Sequence, residues 1–263
     1  MKVIDVHVHL SGKIAKSDVE AFMDRTKIDG LHLLSRFPSD PKKARQFVGE
    51  LAELHAKLPE AIVPLVWVNP LAKNAAKDAE WAVREAGMRG IKMIPNGWYP
   101  EDPRAREIYA LAQELGVFIQ FHSGILWSSN DSSRYCRPAG FETMWDFPKV
   151  RFSLAHIGWP WCDECIAVVQ KFNVKRPKED QAFADLTPGT PPIYRPDAMA
   201  KCLAVVGADH MIFGSDSALP KGTVPTGMWQ KDNQLLKKLG ASKKERAKIF
   251  GGNAERFVAK RGK

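Results

Sequence analysis

Short apolar runs punctuate this chain at a nearly constant interval. They begin near Val3, Leu31, Ile62, Ile91, Val117, Val150, Ala182 and Met211, at separations of 28, 31, 29, 26, 33, 32 and 29 residues. About 30 residues is the length of one strand-plus-helix unit. Several runs, such as VPLVWV at 63–68 and VFIQF at 117–121, are almost continuously apolar. That is the pattern of parallel strands covered on both faces rather than of a half-exposed sheet.

The intervening stretches carry helix punctuation. Ser17 with Glu20 and Ser242 with Glu245 have capping-box spacing, and Asp40-Pro41 and Asp102-Pro103 place proline in a first turn. Helical stripes follow. One runs through Ala44, Phe47, Val48, Leu51, Leu54 and Leu58 to a stop at Pro59; another runs through Ala105, Ile108, Leu111, Ala112 and Leu115 to Gly116. Eight strands alternating with helices predict a single-domain (β/α)8 TIM barrel over residues 1–263, with its site at the carboxyl ends of the strands. A doubly wound open sheet is the alternative, but no glycine-rich phosphate loop follows any strand. Residues 125–140, ILWSSNDSSRYCRPAG, are polar and aperiodic, which marks a candidate lid loop.

Composition narrows the class. The chain has 263 residues, is 44% hydrophobic, and carries a net charge of +9. A chain this long buries a substantial core, which excludes disorder and a disulfide scaffold. No run approaches a membrane span and the amino terminus enters a strand pattern at once, so a soluble, cytoplasmic protein is expected. Cys136, Cys162, Cys165 and Cys202 are expected as reduced thiols. Much of the positive charge sits at 237–248 and 260–263, on an expected terminal helix and tail. Such charges are normally a solvated face, and neither nucleic acid nor membrane is expected as a partner; a homo-oligomer is compatible with the composition.

Chemistry gathers at the strand ends. In VIDVHVHL, strict alternation puts Asp5, His7 and His9 on one face, and two imidazoles one period apart can grip a metal ion. His122 ends the fifth run, His156 the sixth and Asp216 the eighth, while Lys92 lies in the fourth. His32, His55 and His210 fall elsewhere and read as structural or exposed. Trp98 and Tyr99 follow the fourth run, Trp127 the fifth, and Trp159 and Trp161 the sixth, which suggests a flat, partly apolar pocket. Arg36, Arg134 and Arg137 are candidate forks for a substrate carboxylate, with Lys92, Trp98 and Trp159 as further substrate-binding candidates. Asp185, Thr187, Thr190 and Tyr194 follow or end the seventh run near the expected pocket. Cys162 and Cys165 make a CxxC, read here as ordinary helix thiols because no second pair exists.

Taken in order, IDVHVH, GIKMIP, FHSG, AHIGWPWCDE, FGSD and the closing GGNAERF resemble the metal-dependent amidohydrolase superfamily, within it the amidohydrolase-2 type family of hydrolases, lactonases and non-oxidative decarboxylases. The resemblance implies that His7, His9 and His122 ligate a divalent ion, with Asp216 completing the site and serving as the proton shuttle. Zinc suits such a set, with manganese or iron as alternatives. His156 would polarise the substrate carbonyl or orient the attacking water. In binuclear relatives a fourth-strand lysine is carboxylated and bridges two metals, with His156 on the second; one ion and an unmodified Lys92 is the favoured expectation. The function so implied is hydrolysis of an amide, ester or lactone in a small carboxylated or cyclic substrate. Decarboxylation of an aromatic or unsaturated acid is the alternative, disfavoured because such relatives are usually longer. A metal-dependent nuclease and a non-catalytic binding barrel rank below both.

Overall fold

The computed structural model describes residues 1–37, 41–127, 131–220 and 226–259. Its strands are β1 (Ile4–Leu10), β2 (Gly30–Leu34), β3 (Ile62–Trp67), β4 (Gly90–Met93), β5 (Phe118–Phe121), β6 (Phe152–Leu154), β7 (Ala182–Asp185), β8 (Met211–Ile212) and β9 (Ser217–Leu219). Every expected run holds a strand beginning within two residues of its predicted start. All pairings are parallel, in the order β8-β7-β6-β5-β4-β3-β2-β1-β9. The eighth run is split: β8 pairs with β7 and β9 with β1, and between them the Phe213 carbonyl accepts from Val6 N at 3.0 Å. The ring of a (β/α)8 barrel closes through this broken strand.

Helices α1 (Lys16–Thr26), α2 (Ala44–Lys57), α3 (Ala75–Arg84), α4 (Pro103–Leu115), α5 (Cys162–Lys175), α6 (Arg195–Val205), α7 (Met228–Lys238), α8 (Lys243–Ala247) and α9 (Asn253–Val258) complete the chain. The sequence stripes are their buried faces. Val48, Leu51 and Leu54 of α2 and Ala105, Ile108 and Ala112 of α4 lie in the main core between sheet and helices. Asp102 caps α4, its side chain accepting from Arg104 N at 2.9 Å, and Gly116 ends it in the left-handed region. Ser242 and Glu245 cap α8 reciprocally. The box expected at Ser17 does not form. α1 begins two residues earlier, after Ala15, whose N–H donates to the Asp18 carboxylate at 2.7 Å, so the acid one turn in supplies the cap. Asp40 lies outside the described residues, as do Lys260–Lys263 of the basic tail. Among the described residues no helix is long and apolar enough to cross a membrane.

Inside the barrel, a second apolar cluster forms the floor: Ile4, Val6, Leu34, Leu65, Phe118, Phe183 and Ile212, closed from below by Ala254 and Phe257 of α9. Phe257 packs against Phe118 and Phe183 with ring centroids 4.6 and 5.1 Å apart. Above this floor the inward positions turn polar.

Strict alternation fails in β1. Asp5 pairs with Leu31 and Val8 with Leu33, so β1 takes three steps where β2 takes two, which is a β-bulge. Asp5 therefore shares a face with Leu31 on the helix side, whereas His9 shares one with Leu34, a floor residue. The expectation that Asp5, His7 and His9 all point one way is corrected here. The extra residue lets Ile4 and Val6 fill the floor while His7 and His9 are aimed above it.

Candidate active site

The bulge is held by the residue it displaces. Buried Asp5 accepts from its own strand's His7 N at 3.1 Å and from Ser215 N at 2.9 Å through the same oxygen. Desolvation raises its carboxyl to about 7, against these hydrogen bonds. One side chain thus ties the strand carrying His7 and His9 to the loop carrying Asp216. Asp216 itself has φ +58°, a region few non-glycine residues adopt, and its neighbours are clamped on both sides, with Ser217 N donating to the Ser215 hydroxyl at 3.1 Å.

At the strand ends His7 Nε2 lies 3.2 Å from His9 Nε2, and Asp216 Oδ1 lies 3.1 Å from His9 Nε2 and 3.5 Å from His7 Nε2. These three residues form a cluster of donor atoms all within 4.8 Å of one another. The edges match the roughly 3.3 Å ligand-to-ligand separation that 2.0–2.1 Å bonds give in a tetrahedral site. Two imidazoles and one carboxylate are a donor set that suits a divalent ion, so these residues fit one. Burial of Asp216 opposes ionisation, but the His9 hydrogen bond and the nearby His7 and His156 hold its carboxyl well below the usual range. Burial, then Lys92, lowers His7, which keeps its imidazole neutral and able to ligate. Solvent reaches the cluster from one side: the Asp216 and His9 side chains are 34% and 22% exposed, that of His7 only 1%.

His122 lies outside that three-residue cluster and faces His156. Its Nδ1 lies 3.2 Å from His156 Nε2 and its Nε2 lies 3.1 Å from the Ile125 carbonyl. The structure groups His7, His9 and Asp216 as one set and His122 with His156 as another. Desolvation lowers His156 to about 4 and, with His156 nearby, takes His122 well below its ordinary value. His156 and Ile157 both have positive φ, and the turn after β7 grips them: His156 N donates to Thr187 Oγ1 at 3.0 Å and Thr190 Oγ1 donates to the His156 carbonyl at 3.2 Å. Lys92, wholly buried, places Nζ 3.1 Å from His7 Nε2, and desolvation brings it down to about 8.

The expected substrate contacts are distributed unevenly. Arg36 pairs with Glu50 and lies over Phe47, Arg137 pairs with Glu164 and lies over Trp161, and Arg134 engages Asp131 and Tyr135. Each guanidinium thus has local partners within the chain. Trp98 is buried in the main core and is packing rather than pocket wall. Trp127 is 82% exposed, and Trp159 approaches Tyr194 at 6.3 Å. The ring that does border the cluster is Trp67, at the end of β3, 5.6 Å from His9 and itself 5.0 Å from Phe37. In the candidate lid, Ser132–Cys136 and the segment from Pro138 form 3-10 turns, and 128–130 lie outside the described residues. The thiols of Cys162 and Cys165 are raised by burial, which fits unreactive helix positions.

Two further residues were not singled out in the sequence. Gln120 donates to Asp185 Oδ2 at 3.0 Å and to the Val6 carbonyl at 2.9 Å. Its signal was available, since Gln120 and His122 alternate on β5 with the apolar Ile119 and Phe121. Gly214 is the other: a Cβ there would come within 2.8 Å of His7 Cβ and 2.6 Å of Thr187.

The sequence profile of the amidohydrolase family matches residues 4–259. Among solved structures, 2,6-dihydroxybenzoate decarboxylase from Rhizobium is similar over 98% of each chain, at 14% identity and a TM-score of 0.71. A probable 2-pyrone-4,6-dicarboxylic acid hydrolase from Acinetobacter baumannii aligns over 98% of this chain and 99% of its own, at 13% identity and 0.66. An amidohydrolase from Burkholderia multivorans with bound zinc aligns over 99% and 100%, at 15% identity and 0.68. No curated protein sequence gives a significant match.

Proposed function

This chain belongs to the amidohydrolase family, and from that premise we propose that it is a metal-dependent hydrolase that cleaves an amide, ester or lactone bond in a small carboxylated or cyclic substrate. The observation that carries this reading is the solvent-open convergence of His7 Nε2, His9 Nε2 and Asp216 Oδ1 at the carboxyl ends of the strands. Those three residues would hold the ion. When bound, a divalent ion, zinc by donor type, supplies Lewis acidity that polarises an acyl oxygen and acidifies water.

The chain's own residues then divide the remaining work. Asp216, ionised and partly exposed, takes the proton of the attacking water at its carboxylate and returns it to the leaving group. His156, kept neutral by burial, orients the substrate carbonyl by hydrogen bonding. Lys92, the buried cation of the site, balances a substrate carboxylate or a developing oxyanion in this reading. Trp67 and Phe37 supply a flat wall for a ring.

Decarboxylation of an aromatic acid is the second reading, favoured by the full-length likeness to the Rhizobium decarboxylase and by the same aromatic wall. One assay separates them. Metal-stripped protein reloaded with zinc or manganese is presented with a panel of lactones, esters and amides and, in parallel, with hydroxybenzoates. Turnover of the first panel that disappears on stripping supports the hydrolase; carbon dioxide release confined to the second replaces it with the decarboxylase.

A further inference from the structure

Which nitrogen of His7 carries the proton decides whether His7 can be a ligand at all. His7 Nδ1 lies 3.0 Å from Asp185 Oδ2, both side chains being essentially inaccessible to solvent. The carboxylate is an acceptor only, and it is itself held in place: Gln120 Nε2 donates to the same oxygen at 3.0 Å, and Thr187 N donates to Oδ1 at 2.9 Å. Gln120 is fixed in turn, because its amide nitrogen also donates to the Val6 carbonyl and two acceptors leave it one orientation. At Nε2 the nearest partner is Lys92 Nζ at 3.1 Å, which as an ammonium can only donate; His9 Nε2 lies at 3.2 Å and the Asp216 carboxylate farther off, at 3.5 Å. The nearer partners, an acceptor 3.0 Å from Nδ1 and a donor 3.1 Å from Nε2, together favour one tautomer. The close approach of Asp185 and His7 further depends on Gly214, where a Cβ would come within 3.0 Å of Asp185 Oδ1 and 2.8 Å of His7 Cβ.

We propose that Asp185 is a positioning residue that locks His7 in the Nδ1–H form and so presents the Nε2 lone pair to the ligand cluster. Carboxylates that hold a ligand imidazole in this way typically change metal affinity by 10–100-fold when lost. The turn that follows Asp185 also holds His156 through Thr187 and Thr190, so one segment sets the orientation of both donor groups. The proposal rests on His7 serving as a ligand.

Two measurements test it. Nitrogen-15 correlation spectra of the metal-free wild-type protein, with the His7 signals identified by their loss in His7→Gln, report the tautomer directly. Nδ1 protonation is expected, and Nε2 protonation overturns the proposal. Separately, Asp185→Asn sets a donor against a donor in either amide orientation, at Thr187 or at His7 and Gln120. Zinc affinity, measured by competition with a chelating dye, is expected to fall at least tenfold; a smaller loss in a folded variant overturns the proposal. Should the variant not fold, the wild-type spectrum decides alone. A wild-type chain that takes up no zinc would instead overturn the metal-dependent reading, with the tautomer spectrum still interpretable by itself.

Discussion

His122 and His156 face each other edge to face, with Nδ1 of one 3.2 Å from Nε2 of the other and ring centroids 4.8 Å apart. They form a second donor pair beside the cluster, the His156 ring lying 5.8 Å from that of His7. If one ion sits at the three-residue cluster, His156→Ala should leave metal content near one equivalent per chain while turnover drops by ~10- to 1,000-fold through loss of substrate polarisation. Elemental analysis beside steady-state kinetics checks this. Loss of half the metal of a two-equivalent wild type would place a second ion on the His122–His156 pair.

His7→Ala and Asp216→Asn remove members of the cluster itself. Each should lower bound metal to trace levels and turnover to below ~1% of wild type, with the metal-free melting temperature within a few degrees. Undiminished activity in either variant would sink the proposed chemistry.

Acid sensitivity should trace in part to a histidine outside the cluster. His32 lies at the barrel floor, its ring 5.6 Å from Phe118 and 6.4 Å from Phe257, and burial lowers it to about 3, with Asp185 opposing and Arg89 and His7 reinforcing. Its folded pKa lies below its unfolded value of ~6.5, so the unfolded chain binds a proton the fold refuses. Stability is unaffected by His32 above that value and falls as pH drops from about 6.5 towards 3, by up to ~1.4 kcal/mol per pH unit. His32→Leu should flatten the dependence of urea midpoint on pH over that window; parallel curves for the two proteins would count against it.

Gly189 touches His156 where a side chain would not fit. A Cβ there falls 2.6 Å from His156 Cγ and 2.8 Å from Nδ1. Gly189→Ala should cost about 1–3 kcal/mol in denaturant unfolding. It should also reduce turnover by displacing the imidazole, more than its stability loss alone explains. Wild-type kinetics in this variant would show that His156 need not stay where it is.

Much of the architecture was legible because the (β/α)8 interval repeats: Leu31, Ile62 and Ile91 each lie within a residue of a strand start. Strand-end histidines were legible for the same reason. The bulge in β1 was not, since an inserted residue leaves VIDVHVHL looking perfectly alternating, and only the pairing of Asp5 with Leu31 and Val8 with Leu33 reveals it. Nor were the fates of Arg36, Arg134 and Arg137. A guanidinium takes whichever carboxylate the fold brings near, and Glu50 lies 14 residues and Glu164 27 residues from the arginine it binds. The role of Gln120 escaped because its partners, Val6 and Asp185, come from strands on either side of the sequence.

The break in the eighth run has a thermodynamic corollary. The seam where the sheet joins its two ends is also where Asp216 is seated, opposite histidines borne by the first strand. Occupying the cluster therefore rivets the last edge of the chain to the first, and the ion's affinity is spent partly on fastening the cylinder shut. Loading with metal should slow amide hydrogen exchange most along β1 and β9, the hoop's own clasp, rather than evenly around its circumference.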